Sequence, residues 1–374
     1  VKTFCVHVFL GTGMSLSDQL KAVRLRKVTD PIKDFSSPKT AGFLKEEEIK
    51  AYEKSVLDVN TENWLDVLRD ETFETSLCPF ELHEAQVFLD IYQRLYLNKD
   101  SAEVITTDWR DHVTDDEKSC LATLSTRLQT FINKLTKNDS YAFVKTSSRS
   151  AKDAPLVQSK FKSLYSERLM TYSEEKRRGE NIQIWCLLEA AFQALKVKNA
   201  DEVIDMFLRS ERIYQDLLLA AVNQKDRYHE HFVIRKFVDI DVDMEFRGFV
   251  FAYELVALSQ YNYLIYSERL VKDKTKVADS VKVYYDHAVK EKLKNAKFPD
   301  NFIVDFAICD DGKKIWVIEI NPFLETTDGA LFSWQHERHL LEGAEGFQFR
   351  ITERPRPGAK TMLPQSVKAL LIAL

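Results

Sequence analysis

A chain of 374 residues with 45% hydrophobic and 30% charged residues has the composition of a soluble globular protein, large enough for one elaborate domain or two. Ten glycines and nine prolines leave little room for long disordered tracts, and a net charge of −5 excludes a generally basic nucleic-acid surface while leaving a local patch open. Five scattered cysteines (Cys5, Cys78, Cys120, Cys186, Cys309) without a CxxC pair favour reduced thiols in a cytoplasmic protein over a disulfide framework or a zinc site.

No apolar run reaches the roughly 18 residues of a membrane span, so no membrane association is expected. The opening "VKTFCVHVFLGTGM" has weak signal-peptide character and no initiator Met, and Val1 reads as the start of a trimmed chain. Residues 45–140 read as mainly helical. "EEEIKAYEKSVLDV" and "DDEKSCLATLSTRLQTFINKL" repeat apolar residues at helical spacing, with Asp115 or Asp116 expected as N-cap of the second. "YAFVKTSSRSAKDAP" starts as a strand and becomes a Ser-rich loop ended by Pro155. Residues 156–225 return to helices. From His231 onward, "HFVIRKFVDI", "MEFRGFVFAYELVALSQ" and "NFIVDFAICDDGKKIWVIEINPF" are dense in β-branched and aromatic residues and predict strands, with a helical crossover over 273–296. The order predicts an α+β protein.

Within the last pair of strands, alternation puts Ile303, Asp305 and Ala307 on one face, and Ile315, Val317, Glu319 and Asn321 on one face. Buried carboxylates cost free energy unless something pairs with them. Two carboxylates and an amide carbonyl converging make a hard-oxygen site suited to Mg²⁺, although ordinary polar alternation on an exposed face would give the same pattern. Asp311-Gly312 is a strong two-residue turn signal, and that turn would set Asp305 opposite Ile318 and put Glu319 on the other face. A shared metal site therefore requires an odd-length loop, or a bulge with the same effect.

Two further stretches carry chemistry. Lys145 ends a strand, and Ser147, Ser148, Arg149, Ser150 and Lys152 follow, offering N–H groups, hydroxyls and positive charge to a polyphosphate. There is no Walker glycine pattern, and a solvated basic loop would look alike. In "HFVIRKFVDIDVDMEFRGFVF", Arg235 and Lys236 interrupt one strand, and Glu245 and Arg247 share a face of the next. The acidic connector Asp239, Asp241 and Asp243 lacks the glycine and distal glutamate of a calcium loop. His229 and His231 could chelate a metal from one strand face, but they read as surface or structural histidines, as do His336 and His339 in "HERH".

The order of these stretches resembles the ATP-grasp fold, with a nucleotide between two α+β lobes. More narrowly, "KTSSRSAKDAP", "VIRKFVDIDVDMEFRGFVF", "LSQYNYLIY" and "INPFLETTDGALFSW" resemble the cell division cycle protein 123 family, whose eukaryotic members help assemble translation initiation factor 2 by binding its gamma subunit. The resemblance implies a first lobe (116–230) and a second lobe (231–374), while the mainly helical region 1–115 and a helical insertion near 157–198 have no counterpart in it. It implies ATP and Mg²⁺ as ligands. Lys145, Arg235 and Lys236 would contact phosphates, with Ser148, Arg149, Lys152 and Asp153 in the loop beside them. The backbone at Phe237 and Val238 would meet adenine, Glu245 and Arg247 would line the site, and Asp305, Glu319 and Asn321 would hold the metal.

Glu319 departs from the family's usual Asp, nearer the catalytic ATP-grasp ligases, and Ser147-Ser148 replaces its Asn-Trp. The functions implied are an ATP-binding assembly chaperone or regulator with a protein partner, or an ATP-dependent ligase joining a carboxylate to an amine, or RNA ends, through an acyl phosphate or adenylate. In the ligase, Lys145 and Arg247 would be the catalytic pair. RNA binding rests only on local basic runs such as "EEKRRGE".

Overall fold

The computed structural model describes residues 46–136, 140–363 and 367–368. Val1, Cys5 and the part of the expected helical region before Glu46 lie outside the described residues. The other four cysteines are free thiols. No helix among the described residues is long and apolar enough to cross a membrane.

The region before 140 is helical as expected, with α1 (Glu46–Asp58), α2 (Leu82–Leu95) and α3 (Asp115–Leu135), but it also contributes a strand, β1 (Thr75–Pro79). The N-cap of α3 is Thr114, not Asp115 or Asp116. Its side chain accepts from the Glu117 amide while Glu117 reaches back to the Thr114 amide, a reciprocal box that satisfies two orphan donors. Strand β2 (Ala142–Lys145) precedes the loop and helices α4 (Ser159–Met170), α5 (Glu180–Ala194), α6 (Ala200–Leu208) and α7 (Glu211–Leu217). Then come β3 (His231–Lys236), β4 (Glu245–Phe251), β5 (Glu254–Gln260), the crossover with α8 (Lys274–Tyr284), the hairpin β6 (Phe302–Cys309) and β7 (Lys314–Pro322), α9 (Trp334–Leu341) and a short β8 (Gln348–Arg350).

The strands form two sheets, β1-β3-β2 and β7-β6-β4-β5-β8. The first packs with α2, α3 and the helices of 159–217 around Phe80, Phe207 and Phe232. The expected insertion belongs to this core, since Phe161, Ile184, Leu187 and Ala191 are buried in it. One face of the second sheet packs Phe246, Val304, Phe306 and Val317 against Val281, Tyr285 and Val289 of the crossover. Gly248 sits on this face because a Cβ there would lie 2.8 Å from the Leu255 side chain and 2.9 Å from Phe306. The opposite face is divided: one end buries Phe249, Ala257 and Ile303 under Phe332 and Trp334, and the other carries charge.

The hairpin resolves the register conflict by a bulge. From Cys309↔Lys314 to Phe306↔Val317 the ladder follows the register of the simple turn, around a loop at 310–313 in which Gly312 adopts φ +87°. Ile318 is then an extra residue, and Asp305 faces Glu319. The bulge also corrects the expected faces: Val317 pairs with Phe306 in the core, so Ile315 and Val317 lie on the face opposite Glu319 and Asn321.

Candidate functional site

Alternation and register bring the charges together. In the second sheet Arg247 faces Asp305, Glu245 faces Ala307, Asn321 faces Ile303 and Glu319 faces Asp305, so all five polar side chains share one face. In the first, Phe143 pairs with Arg235 and Lys145 with Val233, which puts Lys145 and Arg235 on one face. The sheets meet along β7. Lys145 Nζ lies 3.3 Å from Glu319 Oε2, and Arg235 Nη1 donates to the carbonyl of Ile318, the residue the bulge leaves out of the ladder. Below this contact the Thr72 hydroxyl donates to the Val317 carbonyl (2.7 Å), and the Val317 amide donates to Glu71 (2.7 Å).

Arg247 grips Asp305 through two parallel hydrogen bonds of 2.8 Å and donates a third, of 2.9 Å, to the Asp328 carbonyl. Asn321 Nδ2 lies 3.3 Å from Asp305 Oδ2. Lys152 donates to the Tyr261 hydroxyl (2.9 Å), and Arg247 lies over the Tyr261 ring at 4.8 Å. Arg235 is the exception. It is 2% exposed, yet its Nε and Nη2 have no hydrogen-bond partner, and its guanidinium lies 5.7 Å from the Trp64 ring centroid.

Burial and neighbouring charge set the protonation of this group. Burial lowers the Lys145 ammonium, with Glu319 opposing. Burial would also lower Lys152, but Tyr261, Glu319 and Glu245 raise it. Glu319 would be raised by burial and is instead held well below the usual carboxylate range by Lys145, Lys152 and Arg247. Burial pushes Glu245 up to about 7, Lys152 pulling down while Asp305 and Glu319 add to the rise. Arg235 is lowered to about 10 by burial, with only Glu319 in opposition.

The expected loop residues divide. Lys145 and Lys152 point into this group. Ser148 and Arg149 are held by Asp216, the first by its hydroxyl and the second by a 3.0 Å ion pair. Asp153 accepts from the Ser210 hydroxyl (2.6 Å) and the Arg212 amide (3.1 Å), tying the loop to the start of α7. These three brace the loop. Lys236 is exposed on the face of β3 opposite Arg235, away from Lys145. The Phe237 amide donates to the Tyr141 carbonyl (2.8 Å), so it is not free for an adenine. Sequence reasoning missed Tyr261 and Asp216. Tyr261 continues the Ser259 face of β5 by alternation, a signal that was present; Asp216 comes from a helix with no local mark.

The acidic connector is an ion-pair cluster: buried Asp243 accepts from Ser267 (2.6 Å) and from Arg269 Nε (2.8 Å), and Asp241 also pairs with Arg269 (2.7 Å). In "HERH", Glu337 pairs twice with Arg350 at 2.8 Å.

The family model D123 matches residues 185–369, which carry β3 to β8 and with them Arg235, Glu245, Arg247, Asp305, Glu319 and Asn321. Residues 185–369 belong to the D123 family. Two similar proteins are named translation initiation factor eIF2 assembly protein: one from Xenopus laevis, 33% identical over 29% of this chain and 31% of its own, and one from Dictyostelium discoideum, 28% identical over 38% and 37%. The match thus spans about a third of the length of these relatives. The structure of Cdc123 from Schizosaccharomyces pombe shares the fold, with a TM-score of 0.51 over 80% of this chain and 97% of that one at 19% identity. The D123 segment holds the carboxylate face and Arg235, while Lys145 and Lys152 come from the chain before it.

Proposed function

We propose that the two charged faces take the phosphates of ATP together with Mg²⁺, and that the protein is a cytoplasmic, ATP-binding assembly chaperone or regulator. The observation that carries the nucleotide reading is Arg235, a buried guanidinium with two donors unpaired, on the same face as Lys145. An unpaired buried donor costs about 1–3 kcal/mol, and phosphate oxygens are the acceptors that such a fork matches. The opposing donors suit the ion: Asp305, Glu319 and the Asn321 carbonyl are hard oxygens, and a carboxylate keeps acceptor capacity beyond Arg247's fork. Mg²⁺, when bound, would neutralise phosphate charge. Lys145 and Arg235 would bind the phosphates, and Lys152, Glu245 and Tyr261 would line the site.

The assembly half of the reading is supported by the relatives' names, and the gamma subunit of translation initiation factor 2 is the partner that the family resemblance implies. Calorimetry with ATP and Mg²⁺ tests the site: Lys145→Ala should weaken binding by roughly 1.5–3 kcal/mol, the worth of a charge-assisted contact. Unchanged affinity would remove Lys145 from it. Pull-down with that gamma subunit tests the partner.

One residue favours a second reading, a ligase. Glu319 stands where the family usually has Asp, and it sits across from Asp305 as a second anionic donor. Lys145 and Arg247 would then stabilise charge on the transferring phosphate. Labelled ATP separates the readings: AMP release indicates adenylyl transfer, ADP an acyl-phosphate route, and tight binding without turnover the chaperone.

A further inference from the structure

A second group of ligand-type side chains lies behind the phosphate loop and is used by neither reading. His229 and His231 stand side by side just before and at the start of β3, with ring centroids 4.7 Å apart. Glu62, in the short helix Thr61–Trp64, joins them so that one donor atom from each residue lies within 4.8 Å of the others. Zinc bonds to nitrogen and oxygen are about 2.0–2.2 Å long. The three donors therefore sit just outside a coordination shell, and rotation of the exposed His229 ring can close the gap.

Independent observations favour a cation at this place. Glu62 Oε2 and His231 Nδ1 are buried without a hydrogen-bond partner, and so is Oε2 of the adjacent Glu230, a residue only 5% exposed. The Asn60 side-chain amide donates to both carboxylates, its Nδ2 lying 3.4 Å from Glu62 Oε1 and 3.3 Å from Glu230 Oε1. Two carboxylates that share one amide donor, with two oxygens unsatisfied, are neutralised either by a proton held between them or by a cation. Two imidazoles with a carboxylate select zinc-class ions over Mg²⁺ or Ca²⁺, which prefer all-oxygen sites.

We propose that Glu62, His229 and His231 bind one zinc-class divalent cation, with Glu230 beside the remaining coordination position. The site joins two elements that grip the same loop residue. The Thr61 amide and hydroxyl donate to the Ser147 carbonyl at 2.9 and 2.8 Å, and the His231 amide donates to the Ser147 hydroxyl at 3.0 Å. Ser147 lies two residues after Lys145. The bound ion is thus a clamp that fixes the back of the phosphate loop.

The test is titration of the whole protein with Zn²⁺ alone and then in excess Mg²⁺, followed by calorimetry, melting temperature and, with Co²⁺, the visible bands of a low-coordinate ion. One equivalent should bind in both conditions and raise the melting temperature by mass action. Glu62→Gln and His229→Ala should each weaken binding by about 100-fold or more, since even outer-shell changes cost 10–100-fold. His229 is exposed, so its variant should keep the wild-type circular dichroism. Absence of a stoichiometric Zn²⁺ site, or undiminished affinity in both variants, would overturn the proposal.

Discussion

In the five-stranded sheet Arg247 meets Asp305 through two 2.8 Å hydrogen bonds and places its third on a carbonyl, whereas in the three-stranded sheet Arg235 reaches a single carbonyl and leaves Nε and Nη2 without partners. Both arginines are buried, at 6% and 2% exposure, so both carry the same desolvation penalty. Arg247 offsets it inside the fold. Arg235 does not, and its cost is borne by the rest of the structure. The contrast separates a charge that the fold needs from one that a ligand needs, and it makes opposite forecasts for substitutions of the same kind.

The largest effect is expected at Arg247. Arg247→Met keeps much of the side-chain volume but strands Asp305, which is 1% exposed, beside Glu319. Breaking a buried pair in this way costs about 3–5 kcal/mol. Urea denaturation of the protein without nucleotide or metal should show that loss as a lower midpoint at unchanged slope. A loss under about 1 kcal/mol would mean that Asp305 is already neutral, and the two arginines would then differ less than their geometry implies.

Glu245 sharpens the comparison within the carboxylate face, because burial there leaves it only partly compensated. Its carboxyl ionises near 4.5 in the unfolded chain and near 7 in the fold. Below pH 4.5 both states hold the proton and there is no penalty. As pH rises from 4.5 to 7 the unfolded chain gives up its proton first, so stability falls, and above 7 the whole loss is present. That loss is roughly 2–3 kcal/mol, with some relief from solvent at this half-buried site. Glu245→Gln should therefore match the parent near pH 4 and exceed it at pH 8 in chemical denaturation. Equal stability at pH 8 would show that Lys152 neutralises Glu245 fully.

Much of this face was legible because polar residues at i and i+2 stand out in apolar strands: Glu245 with Arg247, Asp305 alone, Glu319 with Asn321. What no local pattern carries is the hydrogen-bond ladder. The turn signal at Asp311-Gly312 is obeyed near the loop, where the register up to Phe306↔Val317 is the one it dictates. The bulge at Ile318 then overrules it, since in the unbroken register Glu319 would pair with Val304 and enter the core while Ile320 left it. Strand β1 escaped notice because five residues ending in Pro79, amid helical sequence, are strand only by pairing with β3. Strand β8 has three residues and the same dependence, on β5. Lys236 was grouped with Arg235 by adjacency, but adjacent strand residues face opposite ways.

Arg235 carries the smallest expected change in stability and the most informative one. Arg235→Met gives up one hydrogen bond to Ile318 and a contact with Trp64, worth together about 1–2 kcal/mol. It also removes a buried cation with two unpaired donors, and replacing such a charge by an apolar group of similar volume is commonly neutral or stabilising by about 1–4 kcal/mol. The terms nearly cancel, so the urea midpoint should move little. ATP with Mg²⁺, by contrast, should bind more weakly by roughly 1.5–3 kcal/mol in calorimetry, because a charge-assisted phosphate contact has gone. Stability unchanged with affinity lost would set Arg235 apart from Arg247 as the ligand's residue. Stability lost with affinity unchanged would reverse that assignment and make Arg235 a structural clamp between the sheets.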